Sequence, residues 1–146
     1  MDSRGDVVLV PVAGTADDER AIDLAILLAK RHRTVISAIH VVAVPQALAL
    51  ENEMSAECGR GEAILSNAEE CARRYGWEIE IELLQARSAG AAIVDEAIGR
   101  DATLIVMATS IHHRAGQPTV GRTTVPYVLK NAPCEVVVSR RPMDGY

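Results

Sequence analysis

Short apolar runs alternate with amphipathic segments along the chain, and this alternation predicts strands that alternate with helices. Asp6–Ala13 and Thr34–Val42 are rich in β-branched residues and are typical of strands. The segment between them has apolar residues at helical spacing, namely Ile22, Ala25, Ile26 and Ala29. We therefore expect a first helix that runs to about His32, with Thr15 and Asp18 forming a capping box at its start.

A second helix is predicted from Gly59 to Gly76, whereas residues 45–58 before it carry no clear pattern. Its apolar residues recur at helical spacing, at Ile64, Ala68, Cys71 and Tyr75. Gly76 is expected to end the helix in the left-handed conformation that glycine adopts most easily. Cys71 lies on the predicted buried face, which indicates a core residue rather than a reactive thiol.

A strict alternation of glutamate and apolar residues marks the third strand, Trp77–Leu84. The alternation predicts that one face exposes three carboxylates, those of Glu78, Glu80 and Glu82. It predicts that the other face buries three apolar side chains, those of Ile79, Ile81 and Leu83. Such a strand suits the edge of a sheet, where charge also discourages aggregation.

The rest of the chain predicts a third helix, then two strands with a fourth helix between them. Ser88 is expected to cap the third helix, which runs to about Ile98. The residues that we expect to face inward are Ile93, Val94, Ala97 and Ile98. Thr103–Met107 and Glu135–Ser139 are continuous apolar runs, which are typical of strands covered on both faces.

Five strands and four helices in alternation predict an α/β fold with a doubly wound, five-stranded parallel sheet between two helical layers. The acidic strand belongs at an edge, and the strand order that we predict, 3-2-1-4-5 in a three-layer, Rossmann-like arrangement, places it there. One domain over residues 1–146 accounts for the length of the chain. Ligands of such sheets bind outside the carboxyl ends of the strands, here at Pro11–Thr15, at Val41–Val44 and from Met107 onward.

Charge and composition argue against several classes of partner. The formal charge of -5 and the pI near 5.3 do not suit binding to nucleic acid or to an anionic membrane. The three cysteines are an odd number without metal-ligand spacing, so we expect neither a disulfide framework nor a zinc site. The amino terminus does not resemble a signal peptide, and no apolar run reaches roughly 18 residues. We expect a cytoplasmic protein that does not insert into a membrane.

Thr109–Arg122 is a long polar loop, and loops of this length usually carry function. Within it, Gly116–Thr123 nearly matches the phosphate loop G-x4-G-K-[ST]. However, Arg122 replaces the lysine and about eight residues separate the motif from its strand, so we do not interpret it as that loop. A weaker anion site remains, because Thr123 is the predicted cap of a helix with Pro126 in its first turn, and helix amino termini attract anions.

The sequence shows no arrangement of residues that is typical of catalysis or of metal binding. His112 and His113 are adjacent, and we expect both to be solvated rather than to bind a metal. No acid pair, Ser-His-Asp order or Cys-His pair stands out. Cys134 follows Pro133 at the start of a buried strand, which indicates a small core residue rather than a nucleophile. We therefore predict that the protein is not an enzyme.

Four stretches of the chain resemble the universal stress protein family, and the resemblance covers essentially the whole chain. They are VVLVPVAGT, IHVV at residues 39–42, LIVMAT, and VPYVLKNAPCEVVV at residues 125–138. The stretches ELLQARSAGAAIVDEA and GRTTVPYVLKNAPCEVVV are similar to stress-protein domains attached to some amino-acid permeases. The resemblance implies the Rossmann-like fold of the adenine nucleotide alpha hydrolase type.

Family members that bind ATP carry the signature G-x-x-G-x9-G-[ST] after the fourth strand. In register with it, this chain has Ala108, Ile111, Gly121 and Arg122. The spacing is intact, but Ala108 and Ile111 replace glycines that allow the backbone to approach the ribose and the phosphates. One residue is inserted after Gly121, so that Thr123 supplies the hydroxyl. Ala13 replaces an aspartate that the family uses for the ribose hydroxyls.

The resemblance implies that the ligand is ATP or another adenine nucleotide, held by a degenerate glycine loop. The expected walls of the adenine pocket are Pro11, Val12, Val41 and Met107. We expect Thr109, Ser110, Thr123 and Thr124 near the phosphates, with Arg122 as a charge partner. The full set of predicted cofactor-binding residues is Pro11, Val12, Ala13, Val41, Met107, Ala108, Thr109, Ile111, Gly121, Arg122, Thr123 and Thr124.

Three functions remain open from the sequence. The first is a stress-response or regulatory module that binds without turnover and forms a homodimer through the last strand, Glu135–Ser139, whose uncharged valines need cover at an edge. The second is a cytosolic regulatory domain that acts on an amino-acid or cation transporter. The third is a slow ATPase, which ranks last because no general base is evident near the loop.

Overall fold

The structure is a computed structural model, and it describes residues 5–29, 33–44, 51–110, 112–114, 117–119 and 123–142. Its elements follow in the order β1 (Val7–Pro11), α1 (Asp17–Leu28), β2 (Val35–Ala43), α2 (Glu51–Arg74), β3 (Glu80–Ala86), α3 (Ala89–Gly99), β4 (Leu104–Thr109), β5 (His112–Arg114), β6 (Gln117–Thr119), α4 (Thr124–Asn131) and β7 (Glu135–Arg140).

Five strands form one parallel sheet in the order β3-β2-β1-β4-β7. This is the predicted order 3-2-1-4-5, with helices on both faces, so the fold class is confirmed. The register places Pro11 beside Ile39, and Leu9 beside Ile105. Because all five strands run the same way, β1, β2 and β4 end at one side of the sheet, as the sequence predicts for a ligand site.

The core consists of two apolar clusters, one on each face of the sheet. Side chains alternate along a strand, so Val8 and Val10 pack with α1 and α2, whereas Leu9 packs with α3 and α4. Leu9 and Val10 are completely buried. Covering both faces explains why the central strands read as continuous apolar runs.

Helix α2 begins at Glu51, eight residues before the predicted start at Gly59, and includes residues for which no element was expected. Gly59 and Gly61 both lie inside the helix, where glycine lowers local propensity. At Gly61 an added Cβ would lie 2.6 Å from Leu83 Cδ1 and 2.8 Å from His40 Cδ2. Glycine is thus needed where α2 crosses closest to β2 and β3, and this packing cannot be inferred from local sequence.

The far end of α2 matches the prediction in part. Ile64, Ala68 and Cys71 are buried, as expected. Tyr75 is 49% exposed, so its assignment to the core is wrong. Gly76 has the predicted positive φ, 79°, and follows the helix.

Strand β3 lies at the sheet edge as predicted, but the exposure of its side chains differs from the expected alternation. Ile79 is buried, whereas Ile81 is 39% exposed and Leu83 only partly buried. Glu82 is half-buried, because α3 covers the face that carries the glutamates. The predicted pattern of three exposed carboxylates therefore holds for Glu78 and Glu80 and is wrong for Glu82.

Two helix predictions need correction at their ends. Helix α1 ends at Leu28 rather than near His32, which lies outside the described residues. Helix α3 has the predicted cap, since the Ser88 hydroxyl accepts a hydrogen bond from the Ala91 N–H. Its last apolar residue, Ile98, is 59% exposed and does not face inward. Ile98 lies in the last turn of α3, beyond the buried Ile93 and Val94.

The segment predicted as a loop, Thr109–Arg122, contains two short antiparallel strands in its described part. β5 pairs with β6, so that His113 lies beside Pro118. A connection longer than about 12–15 residues without secondary structure is uncommon, and a hairpin satisfies backbone groups that a loop leaves to solvent. Across the described residues no helix is both long and apolar enough to span a bilayer.

Candidate functional site

A pocket of about 410 Å³ opens at the carboxyl ends of β1, β2 and β4, between the first turns of α1, α3 and α4. Eight predicted site residues line it: Pro11, Val12, Ala13, Val41, Met107, Ala108, Thr109 and Thr124. Thr123 does not line it, and Ile111, Gly121 and Arg122 lie outside the described residues. The size is that of small-molecule sites in general.

The pocket has an apolar side formed by residues of the sheet and of the helices α3 and α4. Its walls include Ile39, Ile93 and Val125, which were not among the predicted site residues. Ile39 and Ile93 are completely or almost completely buried. Because these residues also pack the core, their apolar character carried no separate signal for a site.

The turn after β1 is closed by the side chain of Asp18. Its two carboxylate oxygens accept hydrogen bonds from the Ala13 N–H at 2.9 Å and the Gly14 N–H at 2.7 Å. Gly14 has φ of 84°, which suits glycine in this turn. Burial raises the pKa of Asp18 above its usual value, although the backbone hydrogen bonds act in the opposite direction.

The capping box predicted for α1 is present only in altered form. Ala16 occupies the cap position and makes no side-chain cap bond. The Thr15 hydroxyl accepts from the Asp17 N–H at 3.2 Å rather than from Asp18, whose carboxylate reaches back beyond Thr15. Asp18 therefore helps to shape the pocket as well as the helix start.

Asp17 and Arg20 connect α1 to the ends of two strands, β4 and β7, through a polar network. Its Oδ1 accepts from the Ser110 hydroxyl at 2.6 Å and from Arg20 Nη1 at 2.9 Å. Arg20 also donates to the carbonyl oxygens of Thr109 and Ser139 and to the Ser139 hydroxyl. Burial would raise the pKa of Asp17, but the hydrogen bonds from Ser110 and Arg20 and the charges of Arg20 and Arg141 outweigh it and lower that pKa.

His40 also lines the pocket, although no site role was predicted for it. Its Nδ1 lies 2.8 Å from the Val12 carbonyl oxygen. A carbonyl only accepts, so Nδ1 carries the proton and Nε2 is an acceptor in the neutral ring. Its edge lies against α2 at Gly61, and its charge, when present, favours ionised Asp18.

Helix α4 starts beside the pocket at Thr124, one residue after the predicted cap Thr123. Thr123 stands at the cap position, but its backbone is helical and its hydroxyl makes no capping hydrogen bond, so the predicted capping role is wrong. Thr124 and Val125 carry the first amides of the helix and line the pocket. Such amides have no partner within the helix and can serve an anion.

The described residues contain no group of three or more His, Cys, Asp or Glu side chains that could hold a metal ion. Cys71 is buried, and burial raises the pKa of its thiol. Cys134 is partly buried against the second core cluster, and burial raises its pKa as well. The predicted core position is thus confirmed for Cys71, whereas Cys134 packs against the core and stays partly exposed.

The residues that the sequence analysis missed are mainly the ionised ones, Asp17, Asp18 and Arg20. Arg20 contacts residues 89 and 119 positions away along the chain. The only local signal was an arginine three residues after Asp17 in an acidic first turn. That spacing is common on exposed helices, so it does not by itself indicate a site.

Comparison with solved structures shows the same architecture in several proteins. A universal stress protein from Archaeoglobus fulgidus matches with a TM-score of 0.72 and 21% identity, covering 92% of this chain and 97% of that one. A structure of the universal stress protein from A. fulgidus in complex with dAMP matches with a TM-score of 0.66 and 22% identity over 92% and 96%. A universal stress protein family protein from Arabidopsis thaliana with AMP bound matches with a TM-score of 0.68 and 16% identity, covering 95% of this chain and 94% of that one.

Identities this low establish the fold alone, so membership of a family has to come from the sequence. No curated protein sequence matches the chain. The sequence profile of the universal stress protein family, however, matches residues 6–140, which include all five strands of the main sheet. The chain therefore belongs to the universal stress protein family.

Proposed function

We propose that this protein is a non-enzymatic stress-response module that binds an adenine nucleotide in the pocket at the ends of β1, β2 and β4. The observation that carries the proposal is the pocket itself, which combines an apolar side with a polar end. Its position is where ligands bind in doubly wound sheets. Two structural neighbours are described with dAMP and with AMP bound.

The two sides of the pocket suit the two halves of a nucleotide. The flat base belongs against the apolar side, between Val12, Val41 and Met107. The sugar and phosphate belong at the polar end, near Thr109, Thr124 and the first amides of α4. This assignment uses the predicted site residues. It adds to them the apolar wall formed by Ile39, Ile93 and Val125.

Binding without turnover is supported by the state of the two carboxylates that line the pocket, Asp17 and Asp18. Both oxygens of Asp18 accept hydrogen bonds from backbone amides. A general base for hydrolysis needs a free lone pair and a pKa near the working pH. Asp17 accepts hydrogen bonds from Ser110 and Arg20, and its pKa is lowered. It is therefore a weak base, which supports a binding role over slow ATP hydrolysis.

Calorimetric titration with AMP and with ATP tests the proposal. Ala89 lies at the pocket edge in the first turn of α3, so Ala89→Trp should block the pocket and weaken binding at least about tenfold. Ile98→Trp on the same helix is the control, because Ile98 is 59% exposed and does not line the pocket. Absence of binding by any adenine nucleotide, or equal loss in both variants, would overturn the proposal.

We also propose a homodimer that forms through β7. Among the described residues β7 pairs only with β4, so one of its edges is left for another strand. Val136, Val137 and Val138 are only partly buried in the isolated chain. An edge strand with uncharged valines is prone to pair with a second copy.

Light scattering of the purified protein tests the dimer. A dimeric mass is expected, and Val137→Lys should reduce it to that of a monomer by placing charge at the edge. Ile81→Lys is the matched control, since Ile81 is 39% exposed on β3, the opposite edge strand. A monomeric mass for the unaltered protein contradicts the proposed dimer.

A further inference from the structure

The described part of the pocket is lined by acidic groups and by no lysine or arginine. Asp17 and Asp18 both line it, and His40 is the one lining residue in this part of the chain that can carry positive charge. Asp17 is 9% exposed as a residue, so its charge is poorly screened by solvent. A ligand that enters this pocket therefore meets two carboxylates at close range.

Within the described part of the chain, Arg20 lies beside Asp17 but does not compensate for these charges on the ligand side. Arg20 donates to Asp17, to two carbonyl oxygens and to the Ser139 hydroxyl. These bonds hold the guanidinium behind Asp17, and Arg20 does not line the pocket. Its charge balances that of Asp17 at most, which leaves Asp18 without an arginine or lysine partner among its described hydrogen bonds.

We propose that these carboxylates make the pocket selective for adenosine monophosphates, so that AMP binds more tightly than ATP. The inference rests on the adenine-nucleotide function proposed above and adds the class of ligand. One phosphate can be held by the backbone amides of Thr124 and Val125 at the start of α4, which line the pocket. The further phosphates of ATP add negative charge that this helix end, worth roughly half a charge, does not offset against Asp17 and Asp18.

A magnesium ion is the chemical alternative, because it could bridge the phosphates of ATP to a carboxylate. Asp17 Oδ1 already accepts from Ser110 and Arg20, so Asp17 would have to bind the ion through its other oxygen, Oδ2. Both oxygens of Asp18 accept from backbone amides. The test must therefore compare ATP with and without magnesium.

Calorimetric titration of the full chain with AMP, with ATP and with ATP plus Mg²⁺ provides the test. We expect AMP to bind at least about tenfold more tightly than either form of ATP. Because the selectivity is electrostatic, the ratio of the two dissociation constants should shrink as salt is raised from 0.05 M to 0.5 M. This salt series uses the unaltered protein and does not depend on whether a variant folds.

Asp17→Asn and Asp18→Asn should each improve ATP binding. The difference between the dissociation constants of AMP and ATP should therefore become several-fold smaller. Asp23→Asn is the matched control, because Asp23 is an exposed aspartate on the same helix that does not line the pocket. Binding of ATP, with or without magnesium, as tightly as AMP would overturn the selectivity while leaving nucleotide binding intact. Failure of both AMP and ATP to bind would overturn the nucleotide proposal and the selectivity together.

Discussion

Two groups of carboxylates, one at the pocket and one at the β3 edge, respond to folding in opposite ways. At the pocket, Asp17 is surrounded by donors, and its pKa is lowered. At the edge, Glu96 of α3 meets Glu82 of β3, and this hydrogen bond, with burial and the charge of Glu82, raises the pKa of Glu96 to about 7. The same kind of side chain is thus ionised in one region and partly protonated near neutral pH in the other.

The difference shows that the neighbours of an acid decide its state more than the number of acids nearby. Arg20 contacts Asp17 directly at 2.9 Å. Arg100 contacts Glu80 at 2.6 Å. Its charge also lowers the pKa of Glu96, but by less than Glu82 and burial raise it. An ordered, ionised carboxylate suits a binding pocket, whereas a shared proton at an edge makes stability depend on pH.

The largest loss of stability is expected when the Arg20 guanidinium, which donates to Asp17, is removed. Arg20→Met should lower the free energy of unfolding by about 2–3 kcal/mol, because it leaves Asp17 and two carbonyl oxygens without their charged donor. Urea unfolding measures the change. Arg73→Met is the control, since Arg73 is 60% exposed and its 3.6 Å pair with Glu69 should contribute under about 1 kcal/mol. Equal losses in both variants would show that Arg20 has no special part at the pocket.

A smaller loss of stability is expected at the turn after β1, which the Asp18 side chain closes. Gly14→Ala should cost about 2 kcal/mol, since φ is 84° and the new Cβ would lie 2.8 Å from Ile64 Cδ1. Gly76→Ala is matched in backbone strain, with φ of 79°, but has open space around the new Cβ. Thermal unfolding should therefore show a loss of about 1 kcal/mol at Gly76. A loss at Gly14 no larger than at Gly76 would mean that contact with Ile64 is unimportant.

The acid pair at the β3 edge should appear in the pH dependence of stability. The pKa of Glu96 is raised from 4.5 to about 7, so its contribution is fully present below about pH 4.5 and is lost as the pH rises through 7. Glu96→Gln should remove this decline, a change on the order of 1 kcal/mol after solvent screening. Unfolding titrations from pH 4 to pH 8 measure it, with Glu57→Gln on an exposed part of α2 as the control. An unchanged slope in Glu96→Gln would refute the shared proton.

The smallest effect is expected at the exposed ion pair of the same edge. Glu80 is 59% exposed, so Arg100→Ala should cost only about 0.5 kcal/mol at pH 5. The cost should grow above pH 7, because Arg100 also lowers the pKa of the neighbouring Glu96. Unfolding measured at both pH values tests this coupling. A cost independent of pH would show that Arg100 acts on Glu80 alone.

Local patterns predicted the features of this protein that depend on neighbouring residues in the chain. The apolar run at Val7–Val10, the cap at Ser88 and the positive φ at Gly76 agree with the structure. Each follows from side-chain burial or backbone sterics within one or two turns. The order of elements then limited the sheet to few topologies, which made the strand order accessible.

The start of α2 and the exposure of β3 could not be predicted in the same way. Gly59 and Gly61 disfavour a helix locally, yet close packing of Gly61 on His40 and Leu83 favours it. The alternating pattern of β3 predicts that all its glutamates face solvent. The pattern of the strand alone does not show that α3 packs over Glu82. In both cases tertiary contacts outweigh the local pattern.

The sequence by itself determined the family, the sheet order and the eight residues of the predicted site that line one pocket. Only the tertiary structure decided the chemistry of that pocket. Asp17, Arg20 and Ser110 meet because α1 begins beside the end of β4, which brings together residues about 90 positions apart. Charge state depends on such distances between side chains, and a periodic pattern of polar and apolar residues does not contain them.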